Sequence, residues 1–190
     1  MSILGPPPTD SGPKRYYGKY RGTVVDNLDP MQLGRIIAQI PDVLGESISS
    51  WAMPCVPAAG IQAGCFIVPP IGSQVWMEFE QGHRDWPIWT GGFWGTPADM
   101  PAMALVPPPL IPPGLGQNIL LQTTGQNTVV LSDTTPAPYV GGITLKSAAG
   151  PMLVVNDTGI YITCGPGLAT IMLTGPTVAI NETALTITGP

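Results

Sequence analysis

From Gln117 to Pro190 the chain is a succession of short, weakly charged runs in which apolar and polar residues alternate and glycine intervenes at nearly even intervals. The runs read ILLQTTGQ, NTVVLSDT, an insert TPAPYVGG, then ITLKSAAG, PMLVVNDTG, IYITCGPG, LATIMLTG, PTVAINET and ALTITGP. One strand and one turn in roughly eight residues is the sequence signal of a β-solenoid or β-helix. Strands are expected near Ile119–Thr123, Val129–Ser132, Ile143–Lys146, Leu153–Asn156 and Ile160–Thr163.

Charge makes this segment unusual. Lys146 is the only basic residue after Arg84, and Asp133, Asp157 and Glu182 are the only acidic ones beyond Asp99. An open sheet of such strands lacks the charged gatekeepers that protect strand edges, so the composition demands closure. Closure is reached by winding one chain into a solenoid or by wrapping several chains about one axis. A single chain of about eight short strands makes only two or three coils, marginal for a solenoid. Three chains would bury one alternating face along its whole length, which favours a homotrimer. Most of its interior is expected to be Val129, Leu131, Ile143, Leu145, Leu153, Val155, Ile160, Ile162, Ile171 and Leu173, with the face shifted by one register as the alternative and Leu120 and Leu121 opening the winding.

The first half differs. Lys14, Arg15, Lys19, Arg21, Arg35 and Arg84 all lie there, and the change in composition divides the 190 residues into two domains. Residues 1–14 read as a flexible Gly/Pro-rich arm, 15–95 as a small β-barrel, 96–117 as a proline-rich linker and 118–190 as the shaft. Strand signals occur in YGKYRGTVVDN, LGRIIAQIPDV, SWAMPCVP, GCFIVPP and WPIWTGGFWG. SQVWMEFEQG places Val75, Met77 and Phe79 on one face in strict period two. No helical period is evident, and strands this short with frequent turn signals indicate an OB-like barrel. The linker, TPADMPAMALVPPPLIPPGLGQ, is apolar enough that it is expected to lie against a neighbour.

Several function classes are disfavoured. No run approaches the roughly 20 apolar residues of a membrane helix, and the start lacks the apolar core of a secretory signal. The chain is therefore expected to be made in the cytoplasm and kept soluble there until something else exports it. A net charge of −5 without a basic stripe argues against nucleic acid as a partner. Cys55, Cys65 and Cys164 show no metal or disulfide spacing and read as buried structural thiols. His83, the single histidine, sits in a turn with no partner cluster. Glu78 and Glu80 share a strand face but have no groove or acid–base partner, which makes them a solvated barrel face. Neither a catalytic constellation nor a metal or cofactor site is expected. Trp86, Trp89, Phe93 and Trp94 are assigned to core packing or an interface of the barrel, with a stacking platform for glycan or single-stranded nucleic acid as the alternative.

In combination these motifs resemble a known family. GKYRGTVVDNLDPMQLGRIIAQIPDV, SWAMPCVPAAG and FIVPPIGSQVWMEFEQGHRDWPIWTGGFWG are similar to the OB-fold domain of phage baseplate spikes of the gpV and tail-lysozyme type. The same domain occurs in the valine-glycine repeat (VgrG) proteins of type VI secretion and in extracellular contractile injection systems. ITLKSAAGPMLVVND resembles the β-helix that follows it in those spikes. The resemblance implies an all-β protein, an N-terminal OB-fold barrel followed by a C-terminal intertwined trimeric β-helix. It also implies a non-enzymatic, membrane-puncturing central spike that caps the inner tube through a separate hub protein, because neither a fused hub domain nor a lysozyme domain has room here. Its blunt end would receive a conical tip protein of the proline-alanine-alanine-arginine (PAAR) type, and its contact with the target membrane would be transient. The alternative is an OB ligand-binding module carried on a β-solenoid spacer.

Overall fold

The computed structural model describes residues 14–104, 117–181 and 184–188. The chain divides into two compact units, with the boundary between Pro97 and Ala98. Residues 1–13 of the expected flexible arm and the PPII-like part of the linker lie outside the described residues, as do Glu182, Thr183, Gly189 and Pro190. No helix among the described residues is long and apolar enough to cross a membrane.

The first unit is built on β1 (Tyr20–Asp26), β2 (Ile37–Gln39), β3 (Met53–Pro54), the short hairpin β4 (Ala59–Gly60) and β5 (Ala63–Gly64), β6 (Gln74–Phe79) and β7 (Pro87–Phe93). Five of these form one sheet in the order β2-β1-β6-β7-β3, antiparallel except for the parallel β3–β7 edge. The two edges are tied together. Ile36 and Ala52, just before β2 and β3, exchange both backbone hydrogen bonds at 2.7 and 3.2 Å. The sheet thereby curls round to meet itself about a core of Val24, Ile36, Ala38, Ile40, Ala52, Val75, Met77, Phe79 and Trp89. The period-two face of β6 lies in this core, as the alternation predicts.

Two local readings are corrected. Pro41 does not end a strand but starts a one-turn helix, α1 (Pro41–Leu44), a position where its missing N–H leaves nothing unpaired. GCFIVPP forms no strand beyond Gly64, and Phe66 and Ile67 are exposed.

The second unit is a single antiparallel meander of β8 (Ile119–Gln122), β9 (Thr128–Ala137), β10 (Val140–Lys146), β11 (Met152–Asn156), β12 (Gly159–Thr163), β13 (Thr170–Thr174), β14 (Thr177–Ile180) and β15 (Leu185–Thr188). Each strand pairs with its sequence neighbours, so spatial order equals chain order. The eight-residue period is thus a period of hairpins, and direction reverses at every turn within one chain. Gly142 and Gly159 are placed by close approach. Gly142 has φ +71°, and a Cβ there would run into the Val155 carbonyl on the next strand. The insert TPAPYVGG lies within the β9–β10 hairpin, where β9 runs on to Ala137 and turns back through Tyr139 into β10, and it shifts the pairing register between Val140 and Gly142.

Candidate functional site

Register turns the alternation of the second unit into two continuous rows. Across all eight strands Ile119, Leu131, Ile143, Val155, Ile160, Leu173, Val178 and Ile187 stand opposite one another in succession. Two residues along, Leu121, Val129, Leu145, Leu153, Ile162, Ile171, Ile180 and Leu185 form a second row on the same face. Every member is Val, Ile or Leu. All but Leu153, Val178 and Ile180 are exposed in the single chain, by 37% to 68%. Seven strand spacings of about 4.8 Å make the strip about 34 Å long. A contiguous apolar strip of this length is far beyond what a soluble monomer ordinarily shows.

All ten residues predicted for the shaft interior stand on this face. Sequence reasoning left out Ile119, Val178, Ile180, Leu185 and Ile187, although ILLQ, TVAI and LTIT carry the same alternation. Leu121 completes a row, whereas Leu120 points to the opposite face with Val130 and Val154.

That opposite face is organised by polar groups. Asn156 Nδ2 donates to the carbonyls of Ala137 and Val140, both at 2.8 Å, which holds the β9–β10 turn. The Asn156 Oδ1 accepts from the Thr158 N–H at 2.9 Å and its hydroxyl at 2.7 Å. The one proton of the Thr158 hydroxyl being so used, the Tyr161 O–H is the donor in the 2.7 Å contact between the two hydroxyls. The ring of Tyr139 packs 5.1 Å from that of Tyr161, which is only 2% exposed.

The aromatic cluster of the first unit is dispersed. Trp89 is in the core, with its indole N–H donating to the Gly34 carbonyl. Phe93 is half-buried and stacks 4.6 Å from Trp76, and the Arg21 guanidinium lies over both rings. Trp86 packs on His83, and only Trp86 and Trp94 of the four assigned aromatics are exposed. They do not form one stacking platform with Trp89. Glu78 takes an ion pair from Lys19 at 2.7 Å at the surface, worth little by itself.

The most developed electrostatic site in this unit is a loop clamp. Asp29, its side chain 3% exposed, accepts from Arg35 Nε at 3.0 Å and from the Arg35 guanidinium again at 2.6 Å. It also accepts the backbone N–H groups of Met31, Leu33 and Arg35. The Arg35 guanidinium, against an opposing effect of burial and with help from those N–H groups, holds the Asp29 carboxyl well below the usual carboxylate range. The clamp fixes the β1–β2 loop and is structural. Cys55 and Cys164 are exposed and Cys65 is half-buried, which corrects the expectation of buried thiols. Among the described residues no group of three or more His, Cys, Asp or Glu is placed to hold a metal ion.

Comparison with known families agrees with this division. Residues 20–94 match the type VI secretion system/phage-baseplate injector OB domain, and residues 118–186 match the phage baseplate V C-terminal trimerisation domain. No curated protein matches the chain significantly. The two matches follow one another in the order of the two units and leave uncovered only the ends and residues 95–117. An OB barrel followed by a trimerisation sheet with a bare aliphatic face places this chain in the phage baseplate V family of gpV- and VgrG-type spike proteins.

Proposed function

We propose that three copies of this chain form the central spike of a contractile injection system, with the aliphatic strip of each second unit turned inward about a common axis. The observation that carries the reading is the pair of unbroken Val/Ile/Leu rows, bare in one chain and continuous over eight strands. The threefold axis must run along the rows for their whole length to be covered, so the strands lie across the axis in the manner of a trimeric β-helix. A closed, fully hydrogen-bonded shaft is stiff and has no free lateral edges. Its near absence of charge lowers the cost of entering a bilayer, and a length of about 34 Å is comparable with a hydrocarbon core of about 30 Å.

The role is mechanical and non-enzymatic: the shaft concentrates the force of sheath contraction on a small area of the target envelope. A baseplate hub would hold the OB units and join them to the inner tube, and a small tip protein would cover the far end. The particle would assemble in the cytoplasm and act at the target surface. The alternative of a glycan-binding or nucleic-acid-binding OB module is less well supported, because Trp89 is enclosed and the Trp76–Phe93 pair lies under Arg21.

Native mass spectrometry of the whole chain tests the reading. A trimer that resists mild detergent is expected. A monomer at micromolar concentration would sink it.

A further inference from the structure

The aliphatic rows bury surface well but specify position badly. If one chain slides along the axis by two strands, Val, Ile and Leu still meet Val, Ile and Leu, and strand direction is kept. Register between copies needs a polar device, as it does in coiled coils. Beyond Asp99 the chain carries only Asp133, Lys146, Asp157 and Glu182, of which Glu182 lies outside the described residues.

The other three are placed with order. The meander gives the sheet two lateral edges. Thr128, Lys146, Met152 and Thr163 end their strands on one edge; on the other, Asn156 and Gly159 end theirs level with the Ser132–Gly142 pair, beyond which β9 and β10 run on to their turn. Lys146 is thus on the first edge, while Asp133, next to Ser132, and Asp157, next to Asn156, are on the second. Four residue-to-residue steps along β10, from Gly142 to Lys146, separate the edges by about 14 Å, too far for Lys146 to reach either carboxylate of its own chain. Lys146 has no ion pair among the described residues, and both aspartates are exposed.

Rotation about a threefold axis makes every contact between copies heterologous: the first edge of one sheet meets the second edge of the next. Asp133, on β9, and Asp157, at the β11–β12 turn, bracket the level of Lys146 on β10. Resting on the trimeric reading above, we infer that Lys146 of each copy enters between Asp133 and Asp157 of the neighbouring copy, and that these three corners fix the axial register of the shaft. The occupant of each edge is therefore a second copy of this chain, chosen by charge complementarity on a surface with little other charge. One slipped chain would leave two of the three ammonium groups at the corners without partners, a penalty the aliphatic rows cannot offset selectively.

Carbodiimide, which joins an amine directly to a carboxylate, tests this on the native full-length chain. Covalent dimers and trimers on a denaturing gel are expected, with Lys146 joined to Asp133 or Asp157 in the linked peptides. K146E should weaken the trimer on the order of tenfold per corner, and K146E combined with D133K and D157K should restore it. A native trimer that yields no Lys146 linkage, or that tolerates K146E unchanged, would overturn the corner pairing and leave the trimer standing. A monomer before any treatment would overturn both.

Discussion

The Trp89 indole N–H donates to the Gly34 carbonyl at 3.1 Å inside the first unit, with the Trp89 side chain 6% exposed. Gly34 ends the loop organised by Asp29, and Trp89 is central to β7, so this bond joins the loop clamp to the barrel core. Replacing Trp89 by Phe would keep most of the apolar volume but leave a buried carbonyl unpaired, at a cost of about 1–3 kcal/mol. Replacing it by Ala should cost about 3–5 kcal/mol. Urea unfolding monitored by a probe in the first unit would check both values. Equal stability of the Phe variant and the parent would mean that the hydrogen bond contributes nothing.

Asp29 gives a pH dependence of defined sign. Its folded carboxyl titrates below the unfolded value of about 3.9, so its contribution is fully present above pH 4 and is lost as pH falls through the folded value in strong acid. Stability from this residue should be flat from pH 7 to pH 4 and should fall only below that. Asp29→Asn should be less stable at neutral pH and lack that part of the acid slope. Thermal unfolding midpoints of the two proteins would be compared across about pH 2 to 7; parallel curves below about pH 4 would rule the assignment out.

Ile162 stands midway along the second row, between Leu153 and Ile171. A carboxylate there would be buried without a partner three times over in the assembled shaft. Ile162→Asp is expected to abolish trimers in native mass spectrometry while the first unit stays folded. Thr174→Asp, at a lateral edge, should be tolerated. Survival of the Ile162→Asp trimer would place the interface elsewhere.

Asn156 is the link that sequence reasoning missed on the opposite face. Asn156→Ala removes both donations to the β9–β10 turn and should destabilise the second unit by about 1–3 kcal/mol. Hydrogen exchange should speed up first around Ala137 and Val140. Uniform acceleration through all eight strands would instead show that the turn opens only with the whole sheet.

Much of this architecture was legible because local sequence and burial agree. Val75, Met77 and Phe79 alternate with polar residues and end in the core, since a strand sends successive side chains to opposite faces. The aliphatic face of the second unit was readable for the same reason, residue by residue from Val129 to Leu173. What alternation cannot express is which strand lies beside which, or in what direction. The same eight-residue period serves a winding solenoid and a meander, because both alternate a strand with a turn.

The all-β character and the aliphatic face of the second unit are written in composition and period. That Ile36 and Ala52 tie the first sheet to itself, that Trp89 is enclosed while Trp86 and Trp94 are not, and that sixteen aliphatic residues stand in two rows emerges from the folded chain alone. These outcomes depend on pairings between distant residues, set by register and turn geometry. Hydrogen bonding fixes the register between strands, whereas the apolar pattern fixes only the face within each strand.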